Sequence, residues 1–305
     1  MPHGARPSVS VVVPTRGEWP LVKPVVDALC SQIVAVGGEV VIIDGTRHGA
    51  AFDRRQAEIP AHVVRVICSP GSDVYELRAL GLVEGRGQVV AMIEDHCIPA
   101  PDYVAAVLRA HDEHAEQAIA GAVTNGSTDR AIDRANFLLV HARNLPPRDT
   151  LPEAGWIPTS SNISYKGDSV PTARPDRGWL ETVHNVELLF AEEVVFDDRI
   201  VVRHIQSTGR MGTFQNHFHA GKSMGGLARP AIGSRPAQLR WACRLALKIP
   251  IELVRPVWQL ERRSAADRRA VLPLLPLAVT ISAADAIGFA CGVIAGPGRS
   301  PDLLR

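Results

Sequence analysis

Two hydrophobic patterns alternate along the first 130 residues. Residues 9–13 form a short β-branched run that stops at Pro14, and residues 20–34 carry apolar positions at helical spacing, including Leu21, Val25, Leu29 and Ile33. A second run reads E-V-V-I-I-D over Glu39–Asp44, a third covers residues 63–67, and a fourth, Q-V-V-A-M-I-E, covers residues 88–94. Helical spacing returns at residues 74–83 and 101–114. Apolar strands alternating with amphipathic helices predict βαβ units and an α/β fold with a mostly parallel central sheet flanked by helices. Ligands of such sheets bind beyond the carboxyl ends of the strands, which singles out Pro14, Thr15 and Arg16, then Asp44, then Glu94, Asp95 and His96.

The pattern is less regular from residue 115 to 225. A strand is predicted over residues 118–123, a helix over 131–143, loops over 144–178, a helix over 181–193 and a strand over 199–204. His111 and His114 share a helix face at a spacing that suits a metal, but no third ligand is evident, and they read as a solvated face.

Beyond residue 225 the chain changes in kind. Residues 225–270 hold ten Arg and Lys against three acids, a balance of +7. The last 35 residues balance to 0, and because the whole chain is +1, residues 1–224 sum to −6. Residues 271–295 are almost wholly apolar, with Thr280, Ser282 and Asp285 as their polar side chains. A membrane span needs about 20 such residues, but Pro273, Pro276 and Asp285 count against a plain spanning helix. The basic stretch ahead of it, with Trp241 and Trp258, is what a helix lying on an anionic leaflet carries. The expected organisation is a catalytic α/β domain over residues 1–225 and a helical, membrane-associated region over 226–305. Basic residues preceding the apolar segment put that side in the cytoplasm. A buried helix pair in a soluble core is the competing reading.

The 305 residues, 46% hydrophobic and 21% charged, exclude a disordered chain. The balance of +1 gives no footing for a nucleic-acid binder. Five scattered cysteines with no C-x-x-C pair argue against a disulfide framework or structural zinc. The first apolar run is too short for a signal peptide, so a chain that is not secreted is expected. The P-loop lysine motif, G-x-S-x-G and H-E-x-x-H are absent.

Glu94-Asp95-His96 is the sharpest chemical feature: hard oxygen ligands beside one imidazole at a strand end, suited to Mn²⁺ or Mg²⁺ bridging a diphosphate. Taken alone, the triplet reads more readily as a solvated acidic turn, and its context reverses that. Its setting is V-S-V-V-V-P-T-R-G at residues 9–17 and E-V-V-I-I-D-G-T at 39–46. There follow E-L-R-A-L-G-L-V-E-G-R-G-Q-V-V-A-M-I-E-D-H at 76–96 and P-A-P-D-Y at 99–103. This succession resembles family 2 glycosyltransferases, whose GT-A fold binds nucleotide sugars, and the resemblance covers residues 8–225.

The resemblance implies roles position by position. Pro14, Thr15 and Arg16, with Glu18 nearby, line the nucleotide pocket; Gly17 stands where the family often has Asn. Asp44 contacts the base or ribose, and the second acid often found beyond it is replaced by Gly45-Thr46-Arg47. Arg78 faces the donor phosphates. Asp95 is the leading metal ligand, with His96 and Glu94 next; Glu94 also counts among the donor-binding residues, and His stands in place of the usual last Asp. Glu181 is the catalytic base, with Thr182 where the family often has a second acid. It reads otherwise as a first-turn acid favoured by the helix dipole. His204 completes the metal or diphosphate site. Ser160, Ser161 and Asn162 lie where sugar or acceptor binds, and Lys166 stands near the family's usual Arg. The Q-x-x-R-W signature of processive synthases is not visible, which favours transfer of a single sugar.

The expected function is therefore a metal-dependent, inverting glycosyltransferase. It uses a nucleotide-sugar donor and a hydroxyl acceptor that is lipid-linked or a cell-envelope glycan, at the cytoplasmic face of the membrane. Two rivals remain at this level: a nucleotidyltransferase on a similar sheet, whose Gly-rich basic loop is missing at residues 14–18, and a degenerate, membrane-tethered sugar-nucleotide-binding module.

Overall fold

A computed structural model describes residues 6–46, 61–146, 156–171, 181–206, 208–260 and 269–304. The chain divides into two compact units. The first holds residues up to 124 and 144–205, the second residues 125–143 and 206–305.

The first unit is built on a sheet whose strands are β1 (Val9–Thr15), β2 (Glu39–Asp44), β3 (Val64–Cys68), β4 (Val89–Ile93), β5 (Cys97–Pro99), β6 (Ala118–Asn125), β7 (Asn162–Lys166) and β8 (Val194–His204). Their order is β3-β2-β1-β4-β7-β6-β8-β5. The pairs β1–β2, β1–β4 and β2–β3 are parallel, as the βαβ pattern predicts. Beyond β4 the pairs β4–β7, β6–β7 and β5–β8 are antiparallel, so the sheet is mixed. The run N-I-S-Y-K of β7 lies inside a stretch that sequence alone reads as loop. Its five residues alternate polar and apolar, a strand signal in itself, but the run is short and the surrounding turn formers obscure it.

Helices α1 (Trp19–Val36), α2 (Val74–Glu84), α3 (Tyr103–Glu113) and α5 (Glu181–Phe190) belong to this unit. Helix α1 begins with Pro20 in its first turn and ends at Gly37 in the left-handed region, φ 66°. Its Val25, Leu29 and Ile33 are buried, as their spacing predicts, together with Val22 and Val26, whereas Leu21 is half-buried. A capping box between Asp73 and Glu76 starts α2. Gly81 lets α2 lie on β1, because a Cβ there would stand 2.3 Å from a methyl of Val12. His111 of α3 is buried, its Nε2 2.9 Å from the hydroxyl of Ser164, and is not on a solvated face. The sheet on which α3 packs covers it, which a spacing rule cannot foresee.

The second unit holds α4 (Ala131–His141), α6 (Arg210–Ile232), α7 (Arg235–Leu260), α8 (Leu275–Ala295) and α9 (Ser300–Leu303). Helix α8 packs mainly on α6 and α7. Among the described residues, α1 and residues 269–295 are long and apolar enough to cross a membrane.

Candidate active site

Side chains from the ends of β1, β2 and β4 meet at the carboxyl edge of the parallel strands. Pro14 and Thr15 end β1, and Thr15 pairs in register with the buried Asp44 at the end of β2. Asp44 Oδ1 accepts from the Thr46 amide at 2.8 Å, fixing the turn after β2. Arg16 passes close to Gly45, whose added Cβ would stand 3.3 Å from Arg16 Cγ. Glu18 is exposed, one residue before α1. Arg47 lies outside the described residues.

Glu94, Asp95 and His96 occupy the connection from β4 to β5. Three long-range pairings fix their surroundings. Strand β5 pairs with the end of β8 so that Cys97 faces His204, which carries His204 to His96. Strand β7 pairs with β4 so that Ile93 faces Asn162, which sets Ser161 beside Glu94. Adjacent β1 sets Thr15 beside Asp95. In the resulting cluster His96 Nε2 is 3.0 Å from His204 Nε2 and 3.6 Å from Glu94 Oε2, and His204 Nε2 is 3.7 Å from the same oxygen. Ligands about 2.1 Å from one metal ion stand roughly 3.0–3.4 Å apart. The two imidazole nitrogens meet this spacing, Glu94 Oε2 stands slightly beyond it, at 3.6 and 3.7 Å, and two imidazoles with a carboxylate suit Mn²⁺ better than Mg²⁺.

Asp95 does a different job in this arrangement. Its Oδ1 lies 2.7 Å from His96 Nδ1, and its Oδ2 accepts from the Thr15 hydroxyl at 2.6 Å. A proton held on Nδ1 by Asp95 leaves the Nε2 lone pair aimed at His204 and Glu94, the usual way a carboxylate sets a metal-binding imidazole. Burial disfavours charge on His96. Its hydrogen bond to Asp95 and the charges of Glu94 and Asp95 outweigh that and raise its pKa, with Arg78 opposing. The pocket thus favours positive charge where the three ligand atoms converge.

Arg78 of α2 joins this cluster to Glu181. Its Nη2 donates to Glu94 Oε1 at 2.8 Å and its Nη1 donates to Glu181 Oε1. Burial would drive the guanidinium toward neutrality, but the charges of Glu181 and Glu94 prevail and keep it protonated. Glu181, at the start of α5, is 0% exposed. Its second oxygen, Oε2, is buried and has no hydrogen-bond partner. Ser161 Oγ donates to Glu94 Oε2 at 2.9 Å. One polar chain thus runs from Thr15 through Asp95, His96, His204, Glu94 and Arg78 to Glu181, and Ser161 joins it from the side.

Two neighbours of Ser161 serve the scaffold. The fully buried Asn162 donates from Nδ2 to the carbonyls of Ala122 and Ile200, both at 2.9 Å, tying β7 to β6 and β8. Lys166 Nζ binds the carbonyls of His114 and Ala115 at the other end of β7. Tyr165 and Asn185 were not singled out from the sequence. The Tyr165 phenol donates to Asn185 Oδ1 at 2.7 Å, and burial, then the charge of Glu181, push its pKa up. No sequence signal marks this pair, because it forms only where α5 crosses β7. A second cluster of Glu113, His114 and Asp197 is filled by Arg199, whose guanidinium pairs with both acids.

The mixed sheet flanked by helices is of the GT-A type found in glycosyltransferases. Residues 10–158 match the model of glycosyl transferase family 2. No curated protein matches the sequence. Among solved structures, the chain is similar to the mannosyltransferase PcManGT of Pyrobaculum calidifontis, solved with GDP-Man and Mn²⁺. The TM-score is 0.58 and the identity 18%, over 96% of this chain and 88% of that one. Residues 1–349 of S. aureus TarS in complex with UDP-GlcNAc give a TM-score of 0.49 at 11% identity, over 94% and 90% of the two chains.

Proposed function

We propose that the protein moves a single sugar from a nucleotide-sugar donor to a hydroxyl acceptor, with inversion and with the help of a divalent metal. The observation that carries this reading is the convergence of Glu94, His96 and His204, with Arg78 and Glu181 alongside. Glu94, His96 and His204 would hold the metal, and Asp95 orients His96 from behind. Bound there, the metal would neutralise charge on the leaving diphosphate. The shared fold of PcManGT, described with GDP-Man and Mn²⁺, supports Mn²⁺ and a nucleotide sugar as ligand classes.

Pro14, Thr15, Arg16 and Asp44 form the nucleotide side of the pocket, with Glu18 at its margin. Arg78 stands near enough to the metal group, through Glu94, to share a diphosphate with it. As the acceptor oxygen attacks the sugar C1 and the bond from C1 to the diphosphate breaks, the hydroxyl proton goes to Glu181 Oε2, the oxygen that Arg78 does not hold. A single displacement of this kind inverts C1.

We place the enzyme at the cytoplasmic face of a membrane, with a lipid-linked or cell-envelope glycan as acceptor. The support is the partition of charge between the first 224 residues and the basic stretch that follows.

The test is a thermal-shift and hydrolysis screen of the full chain against sugar nucleotides, with EDTA or with added MnCl₂. The expected result is stabilisation and slow release of nucleoside diphosphate from one donor, only with metal, both lost in Glu94→Gln. Glu181→Gln should keep donor binding and lose transfer by about 10²–10⁴-fold. Failure to bind any sugar nucleotide under either condition would overturn the reading.

A further inference from the structure

We infer that α8, the most apolar of the described helices, lies in the plane of an anionic leaflet and does not cross it. This rests on the membrane reading above and specifies its geometry.

By length alone α8 could span. Its 21 residues extend roughly 31 Å, about the thickness of a hydrocarbon core. Its partner could not accompany it. Helices α6 and α8 lie backbone to backbone, as the glycines show. A Cβ on Gly221 would meet the Asp285 carbonyl at 2.1 Å, and one on Gly225 the Phe289 carbonyl at 2.1 Å. From the other side, a Cβ on Gly288 would meet the Phe218 carbonyl at 2.0 Å, and one on Gly292 the Lys222 carbonyl at 2.2 Å. Contacts that advance together along both helices mean a parallel pair joined over about two turns. A bilayer crossed by α8 would have to take α6 with it.

Helix α6 is unsuited to that. It is not among the described helices apolar enough to span, and around its contact with α8 it carries His217, His219, Lys222 and Ser223. His217 Nε2 donates to Asn136 Oδ1 at 2.7 Å, and Asn136 Nδ2 donates in turn to Gln206 Oε1 at 2.9 Å. Asp285, at the middle of α8, lies 3.5 Å from His217 Nδ1. The acid that would be costly in lipid is therefore turned into the helical unit, on the face opposite the apolar one.

That outer face is apolar. Val279, Ile287 and Ile294 recur along one side of α8, and Ile287 is 57% exposed. On α7, Arg235, Arg240, Arg244, Lys248 and Arg255 are exposed, interleaved with Leu239, Trp241 and Ile251, of which Ile251 is 67% exposed. The sequence of α7 sets one acid, Glu252, against these five bases. A basic helix with exposed apolar residues, next to an apolar helix face backed by polar groups, suits the headgroup boundary of an acidic leaflet.

Two measurements on the full chain test this. Flotation with phosphatidylcholine vesicles, with and without phosphatidylglycerol, should show binding to the acidic vesicles. The combined Arg240→Glu, Arg244→Glu and Lys248→Glu variant should partition at least about a hundredfold more weakly. Ile287→Asp with Ile294→Asp should weaken binding to the same vesicles, with retained circular dichroism and sugar-nucleotide binding as evidence of folding. In spheroplasts of an expressing cell, a tag fused after residue 305 should survive external protease. Flotation together with a digested tag would overturn the in-plane geometry and leave the membrane reading standing. Absence of flotation on any vesicle, including a chain that instead pairs with its own copy through this face, would sink the membrane reading itself.

Discussion

His96 Nε2 stands 3.0 Å from His204 Nε2, across 108 residues of sequence. Two neutral imidazoles that each present a lone pair at this distance repel, so the contact is stable only with a proton or a metal cation between them. By holding Nδ1–H of His96, Asp95 leaves its Nε2 with a lone pair, free to accept from Nε2–H of His204 or to bind a metal.

Asp95→Asn should therefore lower Mn²⁺ affinity by about 10–100-fold without abolishing it. Thr15→Val, which removes the hydroxyl donating to Asp95 Oδ2, should have a smaller effect in the same direction. Electron paramagnetic resonance titration of Mn²⁺ reads both. Unchanged affinity in Asp95→Asn would remove its orienting role, and a loss as complete as in Glu94→Gln would make Asp95 a ligand itself.

Arg78 is the counter-charge of two buried or half-buried acids. Arg78→Met leaves Glu94 and Glu181 uncompensated and should destabilise the fold by about 3–5 kcal/mol in urea unfolding. Arg78→Met combined with Glu181→Gln should recover part of that loss, because one stranded charge is removed. An additive double variant would show that the two side chains do not interact.

Stability should fall in mild acid through His111. Burial lowers its pKa from 6.5 to about 4, with Lys166 and His114 adding to the effect. Between those values the unfolded chain binds a proton that the folded chain does not. The contribution is complete above pH 6.5 and is lost as pH falls toward 4, by up to about 1.4 kcal/mol per unit. His111→Gln should flatten the slope of unfolding free energy across that window. An unchanged slope would mean that other groups carry the acid sensitivity.

Gly288→Ala places a methyl against the Phe218 carbonyl, where an added Cβ would stand 2.0 Å away. Alanine improves helix propensity by up to about 1 kcal/mol, whereas forced separation of the helices costs about 1–3 kcal/mol. The net outcome should be a lower unfolding temperature. A stabilised variant would show that α6 and α8 are not in backbone contact.

The sequence determined the parallel half of the sheet, because β1, β2 and β4 are continuous apolar runs and their periodicity needs no knowledge of partners. It also determined the local chemistry of Glu94-Asp95-His96 and the division into acidic and basic parts, both of which are contiguous in the chain. It did not reveal β7, whose short alternating run lies among turn formers and owes its place to β4 and β6 on either side. Nor could it order the acids at the site. Asp95 leads as a ligand when read along the chain, yet folding turns it toward Thr15 and His96 and brings His204 to the vacated position beside Glu94. Which carboxylate converges with the two imidazoles depends on strand register and on neighbours about a hundred residues away. The same holds for Asp285, which is a misplaced charge in the sequence of α8 and acquires its neighbour, His217, only when α6 packs against it.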